Sequence, residues 1–212
     1  MGRSDITNQH LIKSLDALDA IYGEPLDVAV KKEKDYISPP GRSFIARSPF
    51  VVIATAGEQG VDCSPKGDQP GFIRVKDEKT LLIPDRKGNN RVDGMRNIIF
   101  NPFVGLLFLI PGVDMTYRVT GSAEISIEPE LLESFAVNQK VPSSVIRIKV
   151  RTAFHHCTKA LIRAKLWNEG GKGAPEDAPT MATFAASLSG VKDFNAEKYD
   201  ADYQARIEKT LY

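Results

Sequence analysis

The chain has 212 residues, 42% of them hydrophobic and 26% charged, a composition neither disordered nor membrane-like. Its 28 basic and 27 acidic residues leave a net charge of +1, without the cation surplus that general nucleic-acid binding uses. Two cysteines, Cys63 and Cys157, cannot build a disulfide framework and read as reduced thiols. The opening MGRSDITNQH has no apolar stretch of the signal-peptide kind, and the longest apolar run, Phe103 to Ile110, is short of the roughly 20 residues of a spanning helix. The expectation is a soluble, cytoplasmic protein that engages neither membrane nor nucleic acid.

Leu11, Leu15, Leu18 and Tyr22 recur at helical spacing and predict a helix from Gln9 to Tyr22, ended by Gly23 and Pro25. A weaker helix is predicted from Asp27 to Tyr36, and Pro39–Pro40–Gly41 is expected to break the chain. Phe50 to Ala56 is rich in β-branched residues and predicts a buried strand. Short extended segments follow at Val61–Ser64, Phe72–Val75 and Thr80–Ile83, divided by turn compositions such as GDQPG and DEK. Arg91 to Phe100 predicts a short helix, and Phe103 to Ile110 a strand closed by Pro111 and Gly112. Met115 to Ile127 alternates, with Gly121 marking a bulge or bend. Pro129 opens a helix over Glu130–Val137. Ser144 to Thr152 alternates again, with Ile146, Ile148 and Val150 on one face and Arg147, Lys149 and Arg151 on the other. Gly170 to Pro179 is linker composition, and Tyr199 to Tyr212 predicts a terminal helix. Six or seven short strands joined by turns predict an antiparallel barrel, not a parallel α/β sheet.

The sequence holds no G-x-G-x-x-G, P-loop, H-E-x-x-H or paired C-x-x-C. His155, His156 and Cys157 are neighbours on an extended segment and point to alternate sides, a poor joint metal site, so no metal is expected. Two polar segments interrupt the apolar strands: Asp62 to Gly71 (DCSPKGDQPG) and Pro84 to Arg91 (PDRKGNNR). Ser64, Asn89 and Asn90 can donate neutral hydrogen bonds, and Lys66, Arg86 and Arg91 supply charge. A helix starting near Asn90 would aim free backbone N–H groups at the same place. This chemistry reads either as a phosphate pocket or as two hydrophilic loops.

The combination of S-P-K-G-D-x-x-G-F with I-P-D-R-x-G-N-N-R, followed by VGLLFLIPG, YRVTGSAEI and HCTKALIRAKLW, resembles the pyridoxamine-5′-phosphate-oxidase-like, FMN-binding split-barrel superfamily, in particular its probable FMN-dependent branch. The resemblance spans about Arg42 to Trp167. It implies a mainly β fold with flanking helices, a six-stranded antiparallel split β-barrel over residues 42–168, between a helical segment (1–41) and a linker with a helical tail (169–212). It also implies a homodimer with FMN at the interface, acting on a small-molecule reductant or acceptor. Residue by residue, it makes Ser64, Lys66, Ile83, Pro84 and Asp85 contacts of the ring or ribityl chain, and Asn89, Asn90 and Arg91 the phosphate group's partners. Arg118 would face the partner's flavin, and Trp167 resembles a late aromatic near the cofactor. The family's substrate-gripping Arg-x-His pair has no counterpart here, so oxidation of pyridoxamine phosphate is not expected. The alternative is a non-catalytic split barrel that binds flavin, haem or a deazaflavin.

Overall fold

The structure, a computed structural model, describes residues 11–167, 179–189 and 194–210. It comprises two units, Met1–Glu33 and Lys34–Tyr212. In the first, helices α1 (Leu15–Tyr22) and α2 (Asp27–Lys31) bury no side chain. The apolar stripe beginning at Leu11 outruns helix α1, because Ser14 caps it: its Oγ accepts from the Ala17 N–H at 3.2 Å.

The second unit opens with α3 (Pro39–Arg47), a helix where the sequence predicted a break. A first turn has no use for the N–H that proline lacks, and Ser38 caps the helix by accepting from the Gly41 N–H. Strands β1 (Phe50–Gly57), β2 (Gly60–Gly67), β3 (Arg74–Asp77) and β4 (Thr80–Asp85) form two hairpins. Helix α4 (Asp93–Phe100) leads into β5 (Phe103–Leu109) and β6 (Thr116–Ser126). Helix α5 (Pro129–Ser134) precedes the long β7 (Ser144–His156). Helices α6 (Lys159–Ala164), α7 (Met181–Ser189) and α8 (Ala196–Thr210) complete the described elements. The predicted linker lies mostly outside the described residues. Helix α7 was not anticipated; the Asp200 carboxylate of α8 accepts from its Ala182 N–H at 3.1 Å.

The fold is mainly β with flanking helices: one antiparallel sheet in the order β2-β1-β5-β6-β7-β4-β3. It has seven strands, not the six that the resemblance implied. The additional one is the four-residue edge strand β3, which among the described residues pairs only with β4.

The sheet's inner face wraps a single core. Val51 and Ile53 of β1, Leu81 and Ile83 of β4, Leu106 and Phe108 of β5, and Ile146 and Ile148 of β7 meet Ile45 of α3 and Ile98 of α4 there. Full burial of such a side chain contributes about 1.5–3 kcal/mol. Opposite each other, β6 and β7 shift register between Thr120 and Gly121, because Arg151 has no partner across the ladder. A Cβ at Gly121 would lie 2.3 Å from the Lys149 carbonyl oxygen, so this bend needs the glycine marked in the sequence.

The outer face is covered unevenly. Helix α5 packs Leu131 and Leu132 against Leu82, Val145 and Phe135, a small second core over β4 and β7. On β1, β2 and β5, outward Phe50, Val61 and Phe103 remain exposed.

Candidate functional site

The two hairpins that carry the polar segments lie at opposite ends of the sheet order, with no ladder between β2 and β4 among the described residues. A cavity of about 500 Å³ opens where the sheet stays unclosed. Its walls are the second half of β2, the end of β4, loop residues 86–92 and the start of α4. Ile53, Phe72, Met95, Ile98 and Ile146 contribute apolar lining. The polar segments contribute cations and hydrogen-bonding groups.

Two crossed ion pairs join its lips. The Lys66 ammonium of β2 lies 2.6 Å from the Asp85 carboxylate at the end of β4. Just beyond those strands, Arg86 Nε donates to the Asp68 carboxylate at 2.8 Å. Arg86 also donates to the Phe135 carbonyl at 3.0 Å, which ties the lip to the second core. The pairs are well covered: the side chains are 20% and 21% exposed in the first, 18% and 5% in the second. They do for β2 and β4 what backbone hydrogen bonds do elsewhere, while leaving room between the strands.

The loop is shaped by its asparagines. Asn90 takes a left-handed conformation, φ 61°, which asparagine tolerates better than most residues. Asn89 Oδ1 accepts from the Arg91 N–H at 3.0 Å. The Arg91 side chain, largely exposed, pairs with Asp93, whose hydrogen bond and charge push the guanidinium's pKa further up. Helix α4 then starts without a side-chain cap, and Gly94 and Met95 of its first turn line the cavity. Gly94 sits close to Thr55, Asp62 and Ser64; a Cβ there would come within 3.6–3.7 Å of their oxygens. Ser64 donates to Asp62 at 3.0 Å, and Asn97 donates to the buried Thr55 hydroxyl at 3.1 Å.

Of the residues singled out in the sequence, Ser64, Lys66, Pro84, Asp85, Asn89, Asn90 and Arg91 all line this cavity. Three stand elsewhere. The Ile83 side chain is wholly buried in the core. Arg118 is exposed on the outer face of β6, 5.7 Å from the Phe154 ring centre. The Trp167 indole N–H donates to the Val113 carbonyl at 3.0 Å. Asp68, Asp62, Gly94 and Ser143 belong to the site's surroundings and were missed. Asp68 could have been found from the opposed order of charges, Lys66 then Asp68 in one segment and Asp85 then Arg86 in the other. Both cysteines are free and exposed, and neither lines the cavity. Among the described residues, no helix is long and apolar enough to cross a membrane.

Comparison with known proteins adds a family to this geometry. Residues 38–157 match the family model for pyridoxamine 5′-phosphate oxidase. A search of curated proteins finds no match. Among solved structures, the chain is similar to HupZ of Group A Streptococcus (24% identity, 56% of this chain and 93% of that one, TM-score 0.46). It is also similar to an FMN-binding protein of Syntrophomonas wolfei (14% identity, 66% and 97%, TM-score 0.46). General stress protein 26 of Bacillus anthracis is a third (17% identity, 53% and 88%, TM-score 0.40).

Proposed function

The chain belongs to the pyridoxamine 5′-phosphate oxidase family, and from that premise we propose that its cavity binds FMN and that the protein is an FMN-dependent oxidoreductase. The observation that carries this reading is the convergence on one cavity of an apolar wall, a cationic loop and an uncapped helix start. The volume, about 500 Å³, is within the range of cofactor pockets. A flat apolar ring with a phosphorylated tail matches that division of chemistry.

Asn89, Asn90 and Arg91, with the first-turn N–H groups of α4, would hold the phosphate. Ser64 and Lys66 of β2 and Pro84 and Asp85 of β4 would border the ring and the ribityl chain. When bound, FMN supplies the redox chemistry, accepting two electrons from a reductant and passing them on. The chain's part is to orient the ring, exclude water with the apolar wall, and place positive charge where the reduced ring becomes anionic. Lys66, about four-fifths covered and seated on strand β2, is the cation best placed to do so.

The protein is further proposed to act as a homodimer. The outer face over β1, β2 and β5 exposes Phe50, Val61 and Phe103. Arg118 lies on the same outer face, across from Leu107, and would reach the partner's cofactor from there. Pyridoxamine phosphate is not proposed as the substrate. Gripping a second phosphorylated ligand takes a second anion site, and the sequence lacks the Arg-x-His pair that serves the family there.

The test is a titration of the purified chain with FMN, followed by flavin fluorescence and by the visible absorbance spectrum. Tight binding is expected, weakened about tenfold or more by Arg91→Ala. No binding overturns the reading, and an unchanged affinity in the variant moves the phosphate away from this loop. Sedimentation of the FMN-loaded protein at micromolar concentration should give a dimer; a loaded monomer removes that part of the proposal.

A further inference from the structure

We propose that Asp85 is a built-in competitor of the cofactor: its carboxylate occupies the Lys66 ammonium, and an anionic ligand must take its place. This rests on the FMN reading above. Lys66 and Asp85 are 2.6 Å apart, each about four-fifths covered, and both line the cavity. A covered lysine that already holds a carboxylate has no net charge to offer a second anion. The crossed partner pair, Arg86 with Asp68, is closed in the same way and is additionally held by the Phe135 carbonyl. Arg91 is engaged by Asp93, but in the open, where exchange costs little. The cavity's paired cations are therefore graded, while Lys87, which also lines it, is exposed. Arg91 is released most easily and Arg86 is the most firmly built in, with Lys66 between them.

The Lys66–Asp85 pair is thus the one at which ligand charge and protein charge compete inside the cavity. The competition is local to this pair. Ser64, the side chain beside Lys66 on the same face of β2, donates to Asp62 and not to Asp85. Asp85 acts through Lys66, so it is a positioning residue that sets how much of the ammonium's charge a bound ring experiences. Neutralising Asp85 frees that charge. The protein should then bind FMN more tightly, and should favour its reduced, anionic form more strongly than the wild type does.

The experiment compares wild type, Asp85→Asn, Lys66→Met and the double variant by FMN titration and by the midpoint potential of the bound flavin. Asp85→Asn should tighten binding about tenfold and raise the midpoint potential. Both gains should vanish in the Lys66→Met background, a non-additivity that a purely structural role would not produce. Unchanged or weaker binding in Asp85→Asn, or a gain that persists without Lys66, overturns the inference and leaves the FMN reading standing. A wild-type protein that binds no FMN overturns both. A crystal structure of the wild-type protein with reduced, anionic FMN tests the same point without any variant: a Lys66–Asp85 separation beyond ion-pair distance supports the exchange, and an intact pair contradicts it.

Discussion

The sheet has a closed side and an open side, and different forces hold them. From β1 through β5 and β6 to β7, neighbouring strands share antiparallel ladders over an apolar core, with one register shift at Gly121. Between β2 and β4 the ladder gives way to two crossed ion pairs. Backbone ladders bring strands to about 5 Å and leave no space for a ligand. Paired long side chains hold strands farther apart and can let go of one another. The difference explains why the cavity sits at the split: it is where the fold is held by groups that a ligand can also use.

The largest effect is expected on the closed side. Gly121→Ala should cost about 3 kcal/mol or more of unfolding free energy in urea denaturation. The new methyl would meet the Lys149 backbone at 2.3 Å and Ile148 at 2.9 Å, and backbone cannot swing aside. A loss under about 1 kcal/mol would mean that the ladder here is as yielding as the split.

Breaking the firmer lip pair comes next. Asp68→Asn leaves Arg86 with its carbonyl partner but without that carboxylate, and should cost about 1–3 kcal/mol, between the surface and buried cases. The cycle with Arg86→Met isolates the coupling between them. A coupling near zero would show that the lips are held by the surrounding packing and not by charge.

The smallest effect concerns Tyr117, on the closed side, where α3 covers β6. Burial pushes its phenol above the ordinary tyrosine pKa, and hydrogen bonding to Ser38 opposes that shift only in part. Above about pH 10 the unfolded chain releases this proton while the native state keeps it. The unfolded state then binds fewer protons, so native stability falls as pH rises, by at most about 1.4 kcal/mol per pH unit until the native phenol also ionises. Tyr117→Phe should lack this component of the alkaline decline, measured as unfolding free energy against pH. Parallel curves for the two proteins would remove Tyr117 from the account.

Much of the strand framework was legible because burial leaves a period in the sequence. The alternation of Ile146, Ile148 and Val150 with Arg147, Lys149 and Arg151 appears unchanged as the inner and outer faces of β7. The bend at Gly121 was legible as well, since a lone glycine in an alternating run has few other uses. Helix α3 was not, because Pro39–Pro40–Gly41 suits both a chain break and a capped first turn, and only the packing of Gly41 against Tyr117 distinguishes them.

Local pattern and residue type already carried the strand-rich class, the two polar segments and most of the side chains that line the cavity. That the two segments face each other across an unclosed sheet came from packing. Packing also decided that Lys66 and Arg86 arrive there already paired with Asp85 and Asp68. The same packing buried the Ile83 side chain, turned Arg118 outward and gave the Trp167 indole to a carbonyl. The reason is physical: a pattern fixes which face of a strand is apolar, but which charges meet depends on strand order and register. Those follow from the closing of the whole sheet around one core.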